Sequence, residues 1–138
     1  MLEGVQRRAT KLIPEITNLS YPNRLRAVDL PTLEYRRMRS DIIQVFRIMN
    51  GTDRYKKENL FKMASSEGNR TRGHKYKITK QRCNTSKRQR FFSNRIVDDW
   101  NKLPDIVVEA NNVNTFKNRL DKHWNNKECK YCPSFMHE

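Results

Sequence analysis

Leu2, Val5, Ala9, Leu12 and Ile13 recur at helical spacing, with Gln6, Arg7, Arg8 and Lys11 between them. The alternation predicts an amphipathic helix that Pro14 ends. A second, shorter helix is expected from Ser20, whose hydroxyl can cap free backbone N–H groups, with Leu25 and Val28 on one face and Pro31 as its stop. The third helix runs over about 32–49, with Leu33, Met38, Ile42, Val45, Phe46 and Met49 inward and Asn50-Gly51 ending it. Its other side bears Arg36, Arg37, Arg39 and Arg47, which reads as a solvated face. The pattern weakens over 52–69, where "ASSEGN" has the composition of a flexible loop. Beyond it, "HKYKITK" alternates Tyr76 and Ile78 with polar neighbours, as a short half-exposed strand does. Phe92, Ile96, Trp100 and Leu103 then predict one helix over about 87–102, closed by Pro104. A last helix, capped by Asn114, turns Phe116, Leu120 and Trp124 inward.

The expected fold is therefore mainly α: a small module of about five helices with a short strand or hairpin in its basic segment. The organisation read from the pattern is an N-terminal helical segment (1–51), a linker (52–69), a basic segment with C-terminal helices (70–124) and a flexible tail (125–138). Only 36% of the 138 residues are hydrophobic and 32% are charged, which allows a modest core and suggests reliance on a larger neighbour. The longest apolar runs, such as "IIQVF", fall far short of the ~20 residues a membrane span needs. The N-terminus has no apolar signal-peptide core, and three cysteines, an odd number, suit a reducing compartment. An intracellular location, nuclear or cytoplasmic, is expected, with no membrane partner.

Charge changes this picture most. Lys and Arg number 29 against 15 Asp and Glu, a net of +14, and ten of the basic residues lie between Gly68 and Val97 without one acidic residue. Such a cluster fits a polyanion, and nucleic acid is the commonest one, because each neutralised phosphate releases condensed counterions. The plain alternative is a solvated, self-repelling loop. The candidate phosphate-holding residues are Arg70, Arg72, His74, Lys75, Lys77, Lys80, Arg82, Lys87, Arg88, Arg90 and Arg95; His74 could equally cap a turn. Phe91, Phe92 and Trp100 are candidates for stacking on bases, although a helical stripe of large apolar residues is ordinarily core.

Catalytic and metal chemistry find little support. Asp98-Asp99 is the only adjacent acidic pair, without the third carboxylate that two-metal chemistry requires, and reads as helix surface. His123, Cys129, Cys132 and His137 form H-x5-C-x2-C-x4-H, donors zinc accepts, but the spacing is unlike common fingers and plain free thiols are the expected reading. Cys83 has basic neighbours but no histidine base beside it in the sequence. No cofactor is implied.

Five segments, "LEGVQRRATKLIP", "LSYPNRLRAVDLPTLEYRRMRSDIIQVFRIMNG", "RTRGHKYKI", "FFSNRIVDDWNKLP" and "NTFKNRLDKHW", occur in this order. Together they resemble the C-terminal end of the reverse transcriptase polyprotein of jockey-like non-LTR retrotransposons, downstream of the polymerase palm, over about 2–124. Glu15 and Asp29 stand where that family usually has glycine, and Pro22-Asn23 where it has acidic residues. The parent polyprotein is an RNA-directed DNA polymerase, but its aromatic-Ala-Asp-Asp turn and its endonuclease have no counterpart here, so no catalytic residue carries over. The resemblance implies a non-catalytic module beside the polymerase thumb, gripping RNA or an RNA–DNA duplex. Two alternatives stand beside it: a packing module that completes the polymerase, its charge serving solubility, and a truncated copy of the element with no independent function.

Overall fold

The computed structural model describes residues 2–64, 72–125, 127 and 130–133. The fold is mainly helical: α1 (Leu2–Lys11), a 3-10 turn (Pro14–Ile16), α2 (Tyr21–Ala27), α3 (Leu33–Met49), α4 (Lys57–Leu60), α5 (Ser86–Gln89), α6 (Phe92–Arg95), α7 (Val97–Asn101), α8 (Asp105–Val108) and α9 (Val113–His123). Two compact units emerge, 1–39 with 125–138 and 40–124. The division falls within α3, not in the 52–69 stretch where composition placed a linker.

In the first unit, α1 forms where expected, with Glu3 in its first turn and Arg8 and Lys11 in its last, matching the helix dipole. An amphipathic helix ordinarily turns its apolar stripe inward; this one does not. Leu2, Val5 and Leu12 are 79%, 56% and 83% exposed, while Glu3, Gln6 and Thr10 are buried. The buried stripe is the apolar one displaced by a single residue, a rotation of about 100°. Hydrogen bonds explain the choice. The Tyr21 hydroxyl donates to Glu3 Oε1 (2.5 Å), and Glu3 Oε2 accepts from the backbone N–H of Leu33 (2.9 Å), which places a carboxylate at the N-terminus of α3. Gln6 Nε2 donates to the Tyr21 hydroxyl (3.3 Å) and to the Pro31 carbonyl (3.2 Å), and Gln6 Oε1 accepts from Arg36. Buried Arg24 donates to Thr10 Oγ1 (3.1 Å), the Leu19 carbonyl (2.7 Å) and the Arg7 carbonyl (3.3 Å). Its charge thus meets carbonyl dipoles and a hydroxyl.

Two local expectations change in this unit. Ser20 precedes α2 without a side-chain capping bond. The segment expected to be a loose tail contributes Lys130, whose carbonyl accepts from Thr32 N–H (2.8 Å), and Tyr131, whose hydroxyl donates to Asp29 Oδ1 (2.6 Å). Asp29 has φ +48, the left-handed conformation that glycine adopts without cost and that Asp tolerates better than most residues.

The second unit holds the larger core. Phe46 stacks on Phe116 (centroids 4.1 Å apart, planes 15° apart), and Trp100 tilts against Phe116 at 6.3 Å. Ile42, Val45, Val97, Leu103, Val107 and Leu120 are buried in the same unit. The last part of α3 behaves as its periodicity predicts, and Gly51 at φ +66 ends it. The single helix expected over 87–102 is instead α5, α6 and α7, because Phe91 is extended (φ −65, ψ 146) and redirects the chain between α5 and α6. The cap of α9 is Asn112, which accepts from Thr115 N–H (2.8 Å), two residues before the expected Asn114. The expected strand reduces to one antiparallel bridge, Met63 with Ile78.

The first unit generates a pH prediction. Burial, the bond to Glu3 and its nearby charge push the Tyr21 phenol up from 10.0 to about 12. A raised folded value favours the neutral phenol, so its contribution is complete below pH 10 and is lost as pH rises through about 12. The loss amounts to at most about 2–3 kcal/mol. Denaturant unfolding at pH 9 and pH 12 should therefore show Tyr21→Phe less stable than the native sequence at the lower pH, with the gap narrowing at the higher.

Candidate nucleic-acid interface

The basic segment is held by its backbone. The Trp100 indole N–H donates to the Tyr76 carbonyl (2.8 Å). The Asn101 amide pairs with Ile78 on both sides, accepting from its N–H (2.9 Å) and donating to its carbonyl (2.8 Å). On the opposite edge, Thr79 N–H donates to the Lys62 carbonyl (2.7 Å) and Ala64 N–H to the Lys77 carbonyl (2.9 Å). On the edge away from Met63, a side chain thus takes the place that a further strand would occupy. Gly73, at φ +115, makes the turn before this stretch, and the Lys77 ammonium donates back to the Arg72 carbonyl.

His74 does not belong to the phosphate-facing set. It is only 3% exposed, its Nε2–H donates to the Trp100 carbonyl (3.0 Å), and its ring meets Trp100 edge-on at 5.6 Å. The carbonyl accepts only, so Nε2 carries a proton, and Nδ1 is buried without a hydrogen-bond partner among the described residues. Burial removes His74 from solvent and from any polyanion outside, and its hydrogen bond goes to a carbonyl in the last turn of α7.

The remaining cations divide in two. Arg95 is half-buried and grips Asp41 on α3 with Nε and Nη2 (2.8 and 2.9 Å), while Nη1 donates to the Arg90 carbonyl (3.1 Å). This paired geometry is the strong form of ion pair, and it makes Arg95 a fastener of α6. Lys80 pairs with Asp98, and Lys75 lies 3.6 Å from Glu109, both at exposed positions where such pairs are weak and salt-sensitive. Arg72, Arg82, Lys87, Arg88 and Arg90 are exposed and have no carboxylate partner among the described residues. Arg70 lies outside the described residues.

Thr85 accepts from Arg88 N–H (3.3 Å) and starts α5, the single turn that lifts Lys87 and Arg88 to the surface. The Asn94 amide then donates to the Arg88 carbonyl (3.0 Å) and to Cys83 Sγ (2.7 Å), tying the segment across α6. Two clefts open here. One, of about 580 Å³, is bordered by Lys80, Arg82, Gln89 and Arg95. The other, of about 620 Å³, lies beside Arg88 and Phe91, and Gln81 lines both. Of the aromatic stacking candidates, Trp100 is wholly buried and Phe92 partly so, leaving Phe91 at 50% exposure. Nothing local marks the Asp41–Arg95 pairing, since 54 residues separate the partners.

Of the four tail donors, two lie among the described residues. His123 is exposed at the end of α9, Cys132 belongs to the first compact unit, and Cys129 and His137 lie outside the described residues. Among the described residues, no group of three or more His, Cys, Asp or Glu is placed to hold a metal ion, and no helix is long and apolar enough to cross a membrane. Asp98 and Asp99 sit in the first turn of α7. The chain matches no family model, no curated protein and no solved structure.

The division of cations is testable by thermal unfolding. Arg95→Gln should cost about 1.5–3 kcal/mol, the range for hydrogen bonds to charged groups, whereas Arg90→Gln should stay within about 0.5 kcal/mol of the native protein. Equal effects would remove the distinction between fastening and free cations.

Proposed function

We propose that the chain is a non-catalytic nucleic-acid-binding module, related to the C-terminal end of jockey-like retrotransposon reverse transcriptases, that holds RNA or an RNA–DNA duplex by its backbone. One observation carries this reading: Arg82, Lys87, Arg88 and Arg90 crowd one short segment, and among the described residues none of the four is in an ion pair. Exposed cations whose charge is already spent on Asp or Glu have little left for phosphate. These four retain theirs. The turn beneath them is tied by Asn94, which donates to the Arg88 carbonyl and to Cys83 Sγ, and by Arg95, which donates to the Arg90 carbonyl. Contacts of this kind position a strand without reading its sequence.

The five sequence segments supply the retrotransposon relationship, and within it the module would lie beside the thumb of a larger polymerase. A packing role in that polymerase is the second reading, favoured by Leu2, Val5 and Leu12, which α1 leaves in solvent. The two readings differ in salt dependence, because apolar association does not release counterions.

Fluorescence anisotropy against single-stranded RNA, duplex DNA and an RNA–DNA hybrid, each at several salt concentrations, separates them. Replacing Arg82, Lys87, Arg88 and Arg90 by Gln should flatten the slope of log affinity against log salt for single strands by about 3. An equal charge removal at the exposed Arg7, Arg8, Arg37 and Arg47 should change affinity far less. Equal losses in the two variants would make the charge a diffuse polycation and leave packing as the function.

A further inference from the structure

We propose that the cleft beside Phe91 receives an unpaired nucleobase, so that the strand held by the basic segment is single-stranded at that point. The inference rests on the backbone-holding reading and adds the chemical form of the ligand.

The extended backbone at Phe91 sets the ring between two short helices, where neither buries it; it remains 50% exposed although a Phe side chain gains by burial. The Arg88 guanidinium lies 5.3 Å from its centroid. An aromatic face and a guanidinium plane are the two surfaces on which bases stack, and the same guanidinium can meet the adjoining phosphate. The cleft they border, about 620 Å³, falls within the range of small-ligand sites, roughly 300–1,000 Å³. Leu60, Phe61 and Met63 give it an apolar lining, suited to the face of a base, while Gln81, Ser93 and Glu58 offer donors and acceptors for its edges. The Glu58 carboxylate would repel a phosphate brought into the cleft, which directs the base rather than the backbone inward.

A base inside a duplex already has both faces covered by its neighbours and shows only its edges. A ring beside an apolar cleft has nothing to stack on in that case. It serves a base that has left, or never joined, the stack, and the free cations on the same segment hold the backbone to either side.

The test uses the full chain, a labelled oligouridylate, a labelled sugar-phosphate oligomer of equal length without bases, and anisotropy at one fixed, low salt concentration. Phe91→Leu should weaken binding of the oligouridylate by about ten-fold and leave the baseless oligomer within about two-fold, while Phe91→Tyr, which keeps the ring, should bind the oligouridylate as the native chain does. Circular dichroism of each variant checks that the helices persist. If Phe91→Leu affects both oligomers alike, or neither, while the four-fold Gln variant still loses affinity for both, the base site is overturned and the backbone surface stands. If the four-fold Gln variant binds both as tightly as the native chain, the surface falls and the base site with it.

Discussion

Hydrogen bonds from two side chains of α7 to the backbone of Tyr76 and Ile78 hold the start of the basic segment against the core, although the segment contains no acid. Like charges so close in sequence repel one another, and the segment has few apolar side chains to offset that repulsion. Trp100 and Asn101 solve the problem from outside the segment. The indole and the amide bind carbonyl and N–H groups of Tyr76 and Ile78, which carry no net charge, while Ile78 itself is buried. Trp100 is also the ring around which the core packs, touching Phe116 and His74. The same residue therefore ties the stability of the helical core to the placement of the basic surface. Loss of that ring would open a cavity and release the segment together.

This coupling explains a division of labour among the cations that composition could not show. Three of them find acidic neighbours: Lys75 with Glu109, Lys80 with Asp98, Arg95 with Asp41. Those on the outlying turn around α5 have none among the described residues. Charge density in the sequence counts all ten alike. Among the described residues the fold leaves a smaller set, Arg72, Arg82, Lys87, Arg88 and Arg90, without a carboxylate partner.

Much of the second unit was legible from periodicity: Ile42, Val45, Phe46, Ile96, Trp100, Leu103, Phe116, Leu120 and Trp124 are all buried as their spacing predicted. What failed there failed at junctions. Phe92, Ile96, Trp100 and Leu103 keep helical spacing through a chain that is not one helix, because short helices in sequence can preserve a common buried side. In the first unit the rule itself failed. Glu3, Gln6 and Thr10 have the spacing of a buried face, but polar residues at that spacing read as solvated, and nothing local marks Tyr21, Arg24 and the N-terminus of α3 as their partners. Hydrogen bonds between residues 14–30 positions apart leave no periodic trace. His74 is the matching case in the second unit, since a histidine between Gly73 and Lys75 looks exposed until Trp100 is placed above it.

The polar attachment of α1 has a calorimetric consequence. Unfolding raises heat capacity through the apolar surface it exposes and lowers it through the polar surface. A helix fastened by Glu3, Gln6 and Thr10, with Leu2, Val5 and Leu12 already wet, adds little to the first and more to the second. The melting of the N-terminal unit should accordingly have a small heat-capacity increment for its length, a shallow stability curve, and little of the weakening on cooling that a greasy contact of the same area would bring.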